Sequence, residues 1–314
     1  MDNVGIVFPG QGSQYIGMGM DLYRNCKDVR DVFSEADSVL NQAVSRLCFD
    51  GPAEELDMTE NTQVAVLTVD IAVYRMFDAE VGIKPAVMAG HSLGEYGALT
   101  AAGAMDLADA LTLVKARGRY HQEAVPPGEG GMAAIVGLDR EAVEKICRDI
   151  PAGDGVVELA NINGTYQFVI SGHTEAVNQA IVKAKEAHAK LAVRLPISVP
   201  CHCSLLEGAA RRLGADLDGI TIEDCSVPVI PNLDPEKIHS RETTKEFLTR
   251  QLISPVRWKE TIEKMVQMGI DTIVELGPKK VLSGLIKRID RNVRTLNIED
   301  MASFEKALKS LNKI

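Results

Sequence analysis

A chain of 314 residues with 46% hydrophobic and 25% charged residues has the composition of a folded globular protein with a large core, which excludes a disordered tail or a fibrous repeat as its main element. A formal charge of −10 argues against a nucleic-acid partner, because such binding needs basic surface to displace counterions. No apolar run approaches the length of a membrane span, and the six cysteines (Cys26, Cys48, Cys147, Cys201, Cys203, Cys225) show no disulfide-framework spacing, so a cytoplasmic protein with free thiols and no membrane partner is expected.

The opening stretch, Met1-Asp2-Asn3-Val4-Gly5-Ile6-Val7-Phe8-Pro9, lacks a basic n-region and predicts a buried first strand, not a signal peptide. From about residue 3 to 125, short β-rich runs alternate with helical patterns, the helices including Gln63 to Phe77 and Leu107 to Tyr120. That order predicts a mostly parallel sheet covered on both faces, with the strand Ala86-Val87-Met88-Ala89 near its middle. At Pro126-Pro127-Gly128-Glu129-Gly130-Gly131 two prolines and three glycines end the pattern and mark a boundary. Beyond it come a strand (Met132 to Val136), a helix (Arg140 to Asp149), strands Val156 to Ala160 and Gln167 to Ser171, a helix (Glu175 to Ala189) and a strand (Leu191 to Leu195). This βαββαβ order is the ferredoxin-like pattern. After Pro196 the larger unit resumes, with strands at Val227 to Pro231 and Thr272 to Leu276 and helices around 259–268 and 281–288. The predicted class is α/β, with residues 1–126 and 197–314 forming one subdomain and 127–196 an inserted one, and the cleft between them is the expected ligand site.

The most informative motif is Gly90-His91-Ser92-Leu93-Gly94, between an apolar strand and the helical run Glu95-Tyr96-Gly97-Ala98-Leu99. Glycines two before and two after a serine suit a nucleophile elbow, where the turn is too sharp for side chains and the hydroxyl stands at a helix N-terminus. The same residues also suit a plain strand-to-helix turn. A serine nucleophile needs a base, and His202 is the candidate among six histidines, since it follows Val199-Pro200 at the re-entry to the large unit and precedes an amphipathic helix. A core or helix-capping histidine is an equal reading of that position. His121, His173, His188 and His239 are expected in polar, exposed contexts. Cys201-His202-Cys203 predicts no metal site, because adjacent residues rarely point at one ion and no second cluster supplies the remaining ligands.

At about 100° per residue, Arg117 projects onto the apolar face shared by Leu107, Ala110, Leu113 and Val114. A buried charge needs a partner, and here that is either a structural carboxylate or a bound one, whose oxygens the guanidinium fork matches. Glycines around Gln11, in Phe8-Pro9-Gly10-Gln11-Gly12-Ser13-Gln14, let backbone approach a ligand, so the Gln11 and Leu93 amides could face a developing oxyanion. The loop lacks the third glycine of a dinucleotide fingerprint. Lys279, Lys280, Lys287, Arg288 and Arg291 form a basic cluster whose first reading is a solvated helix face.

Taken with Lys115-Ala116-Arg117-Gly118, Pro200-Cys201-His202, Gln251 with Pro255-Val256-Arg257-Trp258, and Glu275-Leu276-Gly277-Pro278, these motifs resemble the malonyl-CoA:acyl-carrier-protein transacylase family and related polyketide acyltransferases. They occur in family order from near residue 6 to beyond 285. The resemblance implies an α/β-hydrolase-like large subdomain with an inserted ferredoxin-like small one. It implies Ser92 as nucleophile, His202 as base, the Gln251 carbonyl as the group orienting that base, Gln11 and Leu93 amides as oxyanion donors, and Arg117 as the partner of a malonyl carboxylate. It further implies malonyl-CoA and an acyl carrier protein as partners, ping-pong transfer in fatty-acid or polyketide synthesis, no cofactor, and a monomer. The departures are Cys201 before the base, Gly164-Thr165-Tyr166 in place of a smaller-residue loop, and Lys279 where glycine is usual. An acyl hydrolase would use the same Ser92 and His202, and Arg117 discriminates against it because uncharged acyl chains gain nothing from a buried cation. An inactive scaffold is expected to have lost at least one of these three residues.

Overall fold

The computed structural model describes residues 3–126, 128–197 and 199–311, with the side chain of Ala152 outside that set. Met1, Asp2 and Pro127, assigned above to the first strand and the boundary, lie outside the described residues, as do 312–314 at the end of the second large segment. The chain begins with β1 (Val4–Phe8) and then runs through α1 (Met20–Asn25), α2 (Lys27–Leu40), α3 (Val44–Asp50), α4 (Ala53–Leu56) and α5 (Thr59–Val81) before β2 (Val87–Gly90). Helices α6 (Gly94–Ala101) and α7 (Leu107–Glu123) follow. Next come β3 (Gly130–Val136), α8 (Arg140–Arg148), β4 (Val157–Gly164), β5 (Gln167–His173), α9 (Thr174–Glu186) and β6 (Leu191–Arg194). The remainder is α10 (Glu207–Asp218), β7 (Val229–Ile230), α11 (Thr244–Gln251), α12 (Trp258–Gln267), β8 (Thr272–Leu276), α13 (Val281–Ile289), β9 (Arg294–Ile298) and α14 (Met301–Leu311).

Two separate sheets result. The first has the order β7-β2-β1-β8-β9 with every pairing parallel, and the second has the order β4-β5-β3-β6 with every pairing antiparallel. All five residues of β1 and all four of β2 are buried, as expected of parallel strands covered on both faces. The strand carrying the elbow is interior, and β1 holds the centre of the sheet. The expected alternation of strands and helices over 3–125 is corrected: among the described residues, β1 and β2 are the only strands there, and five helices separate them. The apolar residues between them are packing surface for helices, with α5 buried nearly all round.

In the antiparallel sheet, Ala133, Ile135, Phe168, Ile170 and Ala192 pack against Val143, Ala176, Val177 and Ala180 of α8 and α9. The opposite face presents Met132 and Val169, which cluster with Leu195, Ile197 and Cys201. Strand β4 is tied to the segment between α11 and α12: Ile162 N–H donates to the Val256 carbonyl and Val256 N–H to the Ala160 carbonyl. Glu158 of β4 also accepts from the Ser204 amide at 2.7 Å and its hydroxyl at 2.9 Å, anchoring the segment just past His202.

Candidate active site

Parallel strands end where their loops can converge, and here the C-terminal edges of β1, β2 and β7 deliver Gln11, Ser92 and Asn232 to one place. The elbow has the crowding its glycines predict. A Cβ on Gly90 would overlap the Gly94 backbone, and one on Gly94 would overlap the Phe8 carbonyl. Ser92 has φ 55° and His202 φ 60°, left-handed conformations that cost energy for residues with a Cβ and persist where surrounding contacts hold them. For Ser92 the holder is Asn232, whose Oδ1 accepts from the Ser92 amide at 2.7 Å and whose Nδ2 donates to the Gly90 carbonyl at 2.6 Å.

Ser92 Oγ lies 2.7 Å from His202 Nε2, and His202 Nδ1 lies 2.8 Å from the Gln251 carbonyl. A carbonyl can only accept, so the proton sits on Nδ1 and the Nε2 lone pair faces the serine. His202 is 3% exposed. Burial first, and then the nearby Arg117 cation, push its pKa down from 6.5 to about 3, so the imidazole is neutral at physiological pH and free to take a proton.

Arg117 is 2% exposed, on the apolar face of α7 as its helical position predicts. Its Nη1 donates to Gln63 Oε1 at 2.8 Å, and its Nη2 donates to Gln251 Oε1 at 3.0 Å and to Ser92 Oγ at 3.2 Å. The Tyr96 ring lies 5.4 Å from its guanidinium carbon. Among the described residues no carboxylate pairs with it, which removes the structural-carboxylate reading and leaves a permanent buried charge held only by neutral acceptors.

Ser92, His202 and Arg117 line a cavity of about 210 Å³ together with Gln11, Leu93, Asn161 and Asn163. Its apolar wall is Met132, Val169, Leu195 and Ile197 from the antiparallel sheet side, and Cys201 also faces it. Burial pushes the Cys201 thiol up to about 12, so it remains protonated beside the serine. The main-chain N–H groups of Gln11 and Leu93 donate to no protein acceptor among the described residues, leaving both free for a ligand oxygen. His91 is directed away from the nucleophile, with Nε2 2.8 Å from Asn163 Oδ1 across the cleft.

Four participants carry no sequence signal. Gln63 and Asn232 are the first two. Glu95 is fully buried and accepts from Asn232 N–H at 2.8 Å, Gln251 Nε2 at 3.0 Å and His239 Nε2 at 2.9 Å. His239, the fourth, corrects the expectation of exposure, being 3% exposed, and His121 is corrected likewise at 1%. Each has an internal partner that makes burial tolerable: Glu95 and Thr244 for His239, Gln63 for His121.

A serine on a strand-to-helix elbow, a neutral imidazole in contact with it and two unengaged amides define a site able to carry an acyl group on Ser92, which is the equipment of a serine acyltransferase. The family model for the acyl transferase domain matches residues 6–306, and the chain belongs to that family. Among similar proteins, the malonyl CoA-acyl carrier protein transacylase of Bacillus subtilis is 45% identical over 313 residues, covering 100% of this chain and 98% of that protein. The protein of the same name from Escherichia coli K12 is 43% identical, covering 98% of this chain and 100% of its own. The transacylase structure from Coxiella burnetii superposes with a TM-score of 0.96 at 46% identity, covering 99% of this chain and 98% of that one. A malonyl-transacylase solved with a type II polyketide synthase acyl-carrier protein gives 0.96 at 42% identity, covering 98% and 100%.

Proposed function

We propose that this chain is a malonyl-CoA:acyl-carrier-protein S-malonyltransferase working through a Ser92 ester. The observation that carries the reading is an unpaired, buried guanidinium, that of Arg117, within hydrogen-bonding distance of a serine already paired with a neutral histidine. In the first half-reaction His202 Nε2 takes the Ser92 proton as Oγ attacks the thioester carbonyl. The Gln11 and Leu93 amides receive the oxyanion, and the Nδ1–H of the resulting imidazolium keeps donating to the Gln251 carbonyl. The C–S bond breaks and the CoA sulfur leaves with the proton from Nε2. The malonyl carboxylate pairs with Arg117, which also screens that cation from His202 and makes the base stronger once substrate is bound. In the second half-reaction a phosphopantetheine thiol gives its proton to His202, attacks the ester, and leaves Ser92 protonated again. One thioester is exchanged for another, so the net reaction calls for no cofactor.

The two sheets and their separate cores support a division into an α/β-hydrolase-like subdomain (1–126 and 197–314) and an inserted ferredoxin-like one (127–196), with the strand order β4-β5-β3-β6 fitting the latter. Lys280, Lys287 and Arg288 are exposed on and beside α13, whose first residue Val281 lines the pocket, and with Lys279 they supply a docking patch for an acidic carrier protein on a chain of charge −10. Lys279 adopts φ 62°, the conformation that favours the glycine usual at that position, and its ammonium reaches the Gly12 carbonyl at 3.3 Å. The hydrolase reading is disfavoured by the Arg117 charge and by the relatives' names. The test is transfer from malonyl-CoA to a carrier protein with and without its phosphopantetheine, over a salt series. Transfer only to the thiol-bearing form, slowing as salt rises, supports the reading. Free malonate with no loaded carrier overturns it.

A further inference from the structure

Arg117 is gripped by two glutamines where acidic residues would have fitted. Gln63 reaches it from α5, 54 residues away in sequence, and Gln251 from the end of α11, 134 residues away. A glutamine carbonyl fixes a guanidinium through hydrogen bonds and leaves its charge intact, whereas a glutamate would fix and neutralise it. We infer that the neutrality of Gln63 and Gln251 is itself the specificity determinant: they position Arg117 while reserving its charge for the carboxylate of the incoming acyl group. The inference rests on the reading of Arg117 as the malonyl partner.

The surroundings fix the orientation of both amides. Gln251 Nε2 faces two acceptors, the Ser92 carbonyl at 3.0 Å and Glu95 Oε2 at 3.0 Å, so its Oε1 must face Arg117. Gln63 Nε2 lies 3.1 Å from His121 Nδ1, so that ring nitrogen accepts and the His121 proton is on Nε2. His121 Nε2 has no partner among the described residues. That detail makes a clean experiment available. In Gln63→Glu the new oxygen facing His121 needs a donor, and His121 supplies one by moving its proton from Nε2 to Nδ1 with no hydrogen bond lost. The other oxygen keeps its place on Arg117 Nη1, now as an ion pair. Size, shape and hydrogen-bond count are preserved, and only the net charge around Arg117 changes.

The experiment measures the rate of Ser92 acylation by malonyl-CoA and by acetyl-CoA, from intact mass, in the wild type, Gln63→Glu, Gln63→Met and Arg117→Ala. Expected is a fall of more than tenfold in the malonyl-to-acetyl rate ratio for Gln63→Glu, carried by the loss of malonyl loading, since an Arg117 already paired with a carboxylate no longer attracts the malonyl one. Gln63→Met, which removes one holder but keeps the charge, should lower the ratio less. An unchanged ratio in Gln63→Glu, an equal loss for both acyl groups, or a Gln63→Met loss as deep as that of Gln63→Glu overturns the inference while a selective Arg117→Ala keeps the carboxylate reading. A non-selective Arg117→Ala overturns both. Should Gln63→Glu alone not fold, Gln63→Glu with His121→Gln provides an amide donor to the second oxygen, and the same ratio decides.

Discussion

Replacing Asn232 by alanine isolates the elbow from the rest of the chemistry. The side chain makes two short bonds in a buried setting, 2.7 Å from the Ser92 amide and 2.6 Å to the Gly90 carbonyl, while its backbone contact to Glu95 survives the change. Each of the two orphaned groups costs about 1–3 kcal/mol, so the variant is destabilised by about 2–6 kcal/mol. At roughly 2 °C per kcal/mol for a chain of this size, the midpoint of thermal unfolding drops by roughly 4–12 °C. Ser92 sits at φ 55°, so without Asn232 the serine relaxes out of line with His202. Acylation by malonyl-CoA and acetyl-CoA then slows together, because neither acyl group touches Asn232. The assay pairs a thermal melt with acylation rates from intact mass. An unchanged melt and rate, or a loss confined to malonyl, would refute the reasoning.

Arg117→Ala removes charge-assisted bonds worth about 1.5–3 kcal/mol, so malonyl loading should fall by about tenfold to a hundredfold with acetyl loading spared or improved; equal losses in steady-state kinetics count against the clamp. His202→Ala should abolish Ser92 acylation at neutral pH, and a variant acylating at full rate removes His202 as the base. His202 also ties stability to pH: below 6.5 the unfolded chain binds a proton that the native imidazole refuses until about 3, so stability falls as pH drops through that window. Melts of wild type and His202→Ala should diverge there, and parallel curves contradict the assignment. Asp70 works in the opposite direction. Its carboxyl is buried without a hydrogen-bond partner among the described residues and its pKa is raised well above 3.8, first by burial and then by Glu275, so above 3.8 the unfolded chain gives up a proton that the native state holds and stability falls as pH rises. Asp70→Asn should flatten that decline above pH 3.8, and an unaltered slope in melts taken over a pH series rejects this role for Asp70.

The groups that the proposed reaction uses are each marked locally in the sequence. Ser92 has its glycines, Arg117 breaks an apolar helical face, and His202 and Gln251 lie in motifs in family order. The groups that hold them were not legible, because their partners are far along the chain: Asn232 is 140 residues from Ser92, and His239 is 144 from Glu95. A histidine or glutamine inside a polar stretch looks solvated until the fold brings an acceptor to it. The small sheet was predicted within a few residues at each strand, since its alternation and turns are local. Strand β9 was not predicted, because at the edge of the parallel sheet it is only partly buried and carries polar residues. The region before β2 was predicted with strands it lacks, because buried helices and buried strands share apolar runs.

A malonyl ester on Ser92, with its carboxylate paired to Arg117, is the proposed intermediate. The direct measurement is intact mass with peptide mapping after separate incubation with malonyl-CoA, acetyl-CoA and methylmalonyl-CoA. The expected result is a malonyl adduct on the Ser92 peptide that persists until a thiol-bearing carrier protein is added and then disappears as the carrier gains the same mass. No adduct on Ser92 with free acid accumulating, or adducts formed only from uncharged acyl groups, would contradict it.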